Sequence, residues 1–227
     1  MFCLVLAERD PLAIPDVIEK YRGYTSFFEL RLDFWEDFSE GILREILSDH
    51  SLKIISTFRS KEEGGAKEVP LKERLRILKL CSELGSYLVD VEWQTYLRSK
   101  TEVRSWKAFP KRILFSYHNF TSKPSNRALK SILRRASREG LMKFKITTVV
   151  REPYDALELL NIIPFGQRLN LEVIAFGMGE KGKWSRIAAL FIGAPFIYVF
   201  PPEGREIAPG QMDLFTAMKI YEVFRDV

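Results

Sequence analysis

FELRLD, residues 28–33, sets three charged side chains, Glu29, Arg31 and Asp33, on one face of an extended segment and Leu30 and Leu32 on the other, because successive side chains of a strand point to opposite sides. The pattern recurs downstream: Asp90 and Glu92 oppose Val89, Val91 and Trp93, and Ser116 and His118 oppose Phe115 and Tyr117. A parallel strand covered by helices reads as a near-continuous apolar run, since both of its faces are dry. A charged face on several strands therefore calls for a barrel whose interior opens onto a polar site.

Working outward, apolar runs of strand length alternate with segments of helical period along the whole chain. Strands are expected near 3–7, 27–33, 53–59, 87–93, 112–118, 142–149, 171–177 and 195–200. Between them lie amphipathic stretches such as PLKERLRILKLCSELG at 70–85 and NRALKSILRRASREG at 126–140, with Gly85 and Gly140 placed as helix C-caps. Eight such units predict the α/β class and a (β/α)8 TIM barrel, 1–227 as a single domain; a doubly wound open sheet is the second architecture.

Composition narrows the functional classes. Hydrophobic residues at 46% and charged residues at 29% are ordinary globular values. The net charge of +5 is a small excess of 35 basic over 30 acidic residues, so neither a nucleic-acid nor a membrane partner is expected. A basic RNA-binding module is the non-enzymatic alternative, and its signature would be basic and aromatic side chains clustered on one face; here the aromatics fall mostly in apolar runs. Cys3 and Cys81 lack metal-ligand spacing and disulfide density, and are expected to be buried free thiols. MFCLVLAERD at the amino terminus is too short for a secretory signal, and no run reaches the length of a membrane helix, so a cytoplasmic setting is expected.

In such barrels the site is built where strands end. Arg31, Arg59, Glu92, His118, Lys145 and the loops from Gly177 and Pro201 fall there, whereas His50 follows a helix and belongs to the other end. TFRSKEEGG at 57–65 supplies an arginine fork suited to a carboxylate and two glycines for a tight turn. GMGEKG at 177–182 matches GxGxxG but opens the seventh of eight units, which leaves no room for a dinucleotide-binding half. PPEGREIAPGQM at 201–212 is long for a strand-to-helix connection and reads as a lid. In KFK, Lys143 and Lys145 share a face, and two buried ammonium groups there would be costly. A lysine buried in this way loses its proton more easily and becomes a nucleophile toward a ketone; two snorkelling surface lysines are the alternative.

These motifs together, ELRLD (29–33), TFRSKEEGG (57–65), SYHNF (116–120), the lysine strand, MGEKGKWSR (178–186) and APGQ (208–211), give a chain that resembles type I 3-dehydroquinate dehydratase over essentially its whole length. The resemblance implies a barrel enzyme, usually a homodimer, that dehydrates 3-dehydroquinate in the shikimate pathway without metal or cofactor. The family's imine-forming lysine lies 27 residues after its catalytic histidine, which selects Lys145 over Lys143 and gives His118 the acid/base role. By the same matching Glu63 orients the histidine, and Glu29, Arg31, Arg59, Arg186 and Gln211 bind substrate. Two positions depart from the family pattern: Ile207 stands where a hydroxyl residue is common before APGQ, and Asn119 where an Asp follows the histidine. A Schiff-base class I aldolase on a similar barrel is the rival enzyme, using the same lysine to cleave a carbon-carbon bond.

Overall fold

The computed structural model describes residues 1–225. Its contacts divide the chain into two compact units, one of Leu4–Ser116 and one of Met1–Cys3 with Tyr117 onward, so the divisions fall within strands.

In the first unit strands and helices alternate: β1 (Phe2–Leu6), α1 (Ile14–Tyr21), β2 (Phe27–Arg31), α2 (Glu40–Ser48), β3 (Lys53–Thr57), α3 (Leu71–Leu84), β4 (Leu88–Glu92), the short α4 (Trp93–Arg98) and α5 (Lys100–Arg104), then β5 (Ile113–Asn119). Neighbouring strands are parallel, with Val5 opposite Glu29, Glu29 opposite Ile55, Thr57 opposite Asp90 and Glu92 opposite Ser116. That register is what gathers the charged face seen in the sequence, because parallel neighbours bring equivalent positions side by side. Helix α2 begins where the Ser39 hydroxyl accepts the Ile42 amide and packs Leu43, Ile46 and Leu47 inward. Helix α3 buries Leu75, Ile77, Leu78 and Cys81 and stops at Gly85, whose left-handed backbone (φ 95°) lets its amide reach the Cys81 carbonyl.

The second unit continues with α6 (Asn126–Arg138), β6 (Lys143–Val149), α7 (Pro153–Leu160), α8 (Ile162–Gln167), β7 (Glu172–Met178), α9 (Lys183–Ile192), β8 (Ile197–Phe200), β9 (Met212–Asp213) and α10 (Leu214–Arg225). Strands β6 and β7 pair in parallel from Lys143↔Glu172 to Val149↔Met178. In α6, Leu129, Leu133 and Ala136 form the buried stripe at helical spacing while the arginines face outward. Gly166 of α8 lies so close to β7 that a Cβ there would stand 2.2 Å from a Val173 methyl carbon, so the helix could not dock with a larger residue.

Among the described residues there are nine strands where the sequence predicted eight. The ninth is two residues long, too short to carry a period of its own. It forms because the loop after β8 returns the chain parallel to it, Val199 opposite Met212 and Phe200 opposite Asp213. Both cysteines are buried and free, as expected, and burial pushes the Cys81 thiol up to about 12, so it stays protonated and unreactive near neutral pH. Among the described residues no helix is long and apolar enough to cross a membrane.

Candidate active site

The first unit holds a buried network of charged and hydroxyl side chains. On β2 the Glu29 carboxylate accepts the Thr57 hydroxyl at 2.7 Å. Arg31 forks onto Asp33, Nε to Oδ1 at 2.9 Å and Nη2 to Oδ2 at 2.8 Å. Asp33 also accepts the amides of Arg59 (3.3 Å) and Ala66 (3.0 Å), which ties the TFRSKEEGG turn to β2. Burial alone would push the Asp33 carboxyl up, but the Arg31 charge and these hydrogen bonds outweigh it and hold the group below its ordinary value of 3.8.

Arg59 is more heavily engaged than the carboxylate fork expected from its sequence. Its Nη2 donates to Asp90 at 2.7 Å and its Nη1 to the Ser116 hydroxyl at 2.7 Å, with Glu92 at 3.9 Å and Glu63 at 4.0 Å. Burial opposes the charged form, yet Asp90, Glu92 and Glu63 together raise the Arg59 pKa above its usual value. Ser116 in turn donates to Asp90 at 2.6 Å, and Glu92 is held by Arg74 at 3.0 Å and by the Ser60 amide at 2.6 Å. Each strand-end charge of this unit thus has a protein partner, the condition under which buried ions are tolerated.

This arrangement gives a pH prediction. With its folded pKa depressed below 3.8, Asp33 contributes stability that is complete above that value and is lost as pH falls through the folded value. Asp33→Asn should flatten the acid limb of stability measured by urea titration between about pH 2 and 5. At neutral pH the variant should lose about 3–5 kcal/mol, because the Arg31 guanidinium remains buried without its carboxylate. An acid limb as steep as the parent's would assign the dependence to other carboxylates.

The second unit carries the lysine and histidine. The two lysines of KFK differ on strand β6: Lys143, at the start of the strand, forms an ion pair with its register partner Glu172, while Lys145 is 6% exposed. The Lys145 Nζ lies 3.9 Å from the ring centroid of Tyr198 on β8. His118 is half-buried at the next-to-last position of strand β5, its ring stacked with Phe120 at 6.5 Å between centroids. His50 is exposed between α2 and β3, as its position in the sequence implied.

Arg186 on α9 is 2% exposed, and its guanidinium lies 4.4 Å from the Phe176 ring centroid. Its Nη2 donates to the Pro209 carbonyl at 3.0 Å, and its Nε has no hydrogen-bond partner among the described residues. Burial pushes its pKa down to about 9, partly opposed by the charge of Glu206. The group remains a cation at neutral pH, and this depression measures how incompletely the protein neutralises it. Arg186 therefore differs from Arg59 in having a donor to spare.

The loop after β8 is anchored at the same carbonyl. Pro209 O also accepts the Gly179 amide at 2.9 Å, and the Gly210 amide donates to Glu206 at 3.0 Å. Gly210 has φ 74°, and a Cβ there would meet the Gly179 oxygen at 2.6 Å, so glycine is required both by conformation and by the approach of the two turns. Gly179 of GMGEKG thus serves the seat of the loop, while Gly177 and Gly182 pack against each other. Gln211 is buried, its Oε1 accepting the Ile207 amide at 3.1 Å. Ile207 contributes its backbone to this turn despite lacking a hydroxyl.

Two participants escaped the sequence reading: Tyr198 and the Pro209 carbonyl. Tyr198 had a faint signal, a hydroxyl-bearing ring alternating with Phe196 and Phe200 in PFIYVF. The Pro209 carbonyl had none, since backbone groups carry no residue identity.

Parallel strands alternating with helices, a buried amine on β6 and a buried guanidinium with an unused donor define the class, an α/β enzyme. The chain belongs to the type I 3-dehydroquinase family, whose model matches residues 2–226. It is 34% identical to the 3-dehydroquinate dehydratase of Pyrococcus abyssi over 203 residues, 89% of each chain. It is 29% identical to that of Methanocaldococcus jannaschii over 224 residues, 98% of each. The type I 3-dehydroquinate dehydratase structure from Clostridium difficile superposes with a TM-score of 0.86 at 23% identity, covering 99% of this chain and 92% of that one. The chain shares the fold of these proteins, the (β/α)8 barrel its sequence predicted.

Proposed function

We infer that the chain dehydrates 3-dehydroquinate to 3-dehydroshikimate, a hydro-lyase reaction, through an imine at Lys145. Membership of the family supports the reaction; the observation in the site that carries the reading is the buried Arg186, which keeps an unpartnered Nε beside a depressed pKa. A substrate carboxylate would supply the missing acceptor and the missing charge, and a planar guanidinium donates two parallel hydrogen bonds to such a group.

In the proposed sequence the neutral Lys145 amine adds to the ketone carbon, and the carbonyl oxygen leaves as water with one proton from nitrogen and one from an acid. The resulting iminium withdraws electrons from the adjacent carbon, so its C–H is acidified. His118 removes that proton, giving an enamine, and returns it to the β-hydroxyl, which departs as water while the enamine electrons reform the iminium. Hydrolysis releases product and restores Lys145. Glu29, Arg31 and Arg59 are proposed as substrate-binding groups, Glu63 as the positioning residue for the histidine, and Gln211 as a lid contact. Because Arg31 and Arg59 already hold carboxylates, Arg186 is the better partner for the substrate's. The working form is proposed to be a cytoplasmic homodimer of single-domain chains.

The test is the intact mass after borohydride reduction with and without 3-dehydroquinate, followed by peptide mapping. A substrate-dependent adduct at Lys145 together with enone absorbance supports the reading; active protein without an adduct rejects the imine. A test of the clamp is Arg186→Ala, expected to raise KM by about 100-fold or more through loss of two charge-assisted hydrogen bonds. An unchanged KM would remove Arg186 from substrate binding.

A further inference from the structure

Tyr198 has no role in the chemistry above, yet its ring is the surface against which the Lys145 amine rests. The Nζ stands 3.9 Å from the ring centroid, well inside the range of a cation–π contact. Both groups are buried, Lys145 at 6% and Tyr198 at 4% exposure, so the contact is desolvated and stronger than one at the surface. The ring is itself packed by Phe196, the residue just before β8, which meets it edge-to-face at 5.4 Å and 69°. Tyr198 lies within β8, and the strand backbone together with the Phe196 contact leaves its ring face in a set orientation.

We propose that Tyr198 is a positioning residue for the imine nitrogen: its ring face holds Lys145 Nζ in place and favours the protonated iminium over the neutral imine. This rests on the imine reading given above. A protonated imine is the effective electron sink, and a neutral one is a much weaker acid at the neighbouring carbon. The face of an aromatic ring carries negative potential and attracts the cationic nitrogen, whether ammonium before reaction or iminium after it. The ring also closes one side of the nitrogen, so the substrate carbonyl carbon must approach from the other. The hydroxyl is not required by this role; the π face is.

The proposal separates ring from hydroxyl and electronics from shape. Tyr198→Phe should keep kcat within about threefold of the parent, and Tyr198→Leu should lower kcat by roughly 5- to 30-fold with KM changed much less. Incorporating phenylalanines of increasing fluorination at position 198 keeps size and fold while draining the π face, and kcat should fall stepwise along the series with the fraction of borohydride-trapped Lys145 falling in parallel. A flat fluorination series, or Tyr198→Phe falling as far as Tyr198→Leu, would overturn the proposal. The parent protein run alongside keeps the two readings apart. A parent that turns over without a Lys145 adduct refutes the imine itself, whereas a normal parent adduct with a flat series refutes the role of Tyr198 alone.

Discussion

Lys145→Ala is expected to abolish the borohydride-trapped adduct and to lower kcat by roughly 10⁴-fold or more, the scale of loss seen when a covalent nucleophile is removed. The expectation depends on position as well as chemistry. Lys145 sits on β6 at 6% exposure against the Tyr198 ring, where water solvates the amine poorly. Lys143 supplies the internal control because it lies on the same strand face but is ion-paired with Glu172. Lys143→Ala should retain a normal adduct. An adduct that survives Lys145→Ala and disappears in Lys143→Ala would transfer the imine to Lys143.

His118→Ala is expected to separate imine formation from turnover. The variant should still be trapped at Lys145 by borohydride, while kcat drops about 10²- to 10⁴-fold, the usual contribution of a positioned general acid/base. The physical reason is that the amine can add to the ketone without the imidazole, whereas the proton adjacent to the iminium has no other assigned acceptor. His118 ends β5 half-buried, with its ring stacked on Phe120, so it is oriented yet still reachable. Trapping at the parent's level with unimpaired turnover would take His118 out of the mechanism. Loss of trapping would instead give it a role in imine formation.

The fold was legible because its signals are local. Alternation of polar and apolar side chains marks a strand within five or six residues, and the leucine spacing of 70–85 marks a helix within four turns. β2 and β3 lie inside the predicted 27–33 and 53–59, and the Gly85 cap closes α3 as expected. The unpredicted β9 had no local signal, since two residues carry no period and it exists through pairing with Val199 and Phe200.

The site was legible to a different depth. The motif order pointed to Lys145 and His118 through family resemblance, while the residues alone left Lys143 and Lys145 open. The sequence offered Arg59 as a carboxylate fork, and the family resemblance named both Arg59 and Arg186 as substrate-binding groups. The structure gives Arg59 to Asp90, 31 residues away, and leaves Arg186 a donor to spare. No spacing rule foretells that difference, because it depends on which strand lies beside which.

The sequence by itself determined the order of strands and helices, the charged strand faces and the family, all carried by short-range periodicity and motif. The tertiary structure decided which charges neutralise one another and which remain available: Lys143 to Glu172 across the β6–β7 register, Arg59 to Asp90, Lys145 to the face of Tyr198. These pairings join residues far apart in the chain, and a charge's energy depends on its neighbours and on its distance from water. Both are set when the strands come together.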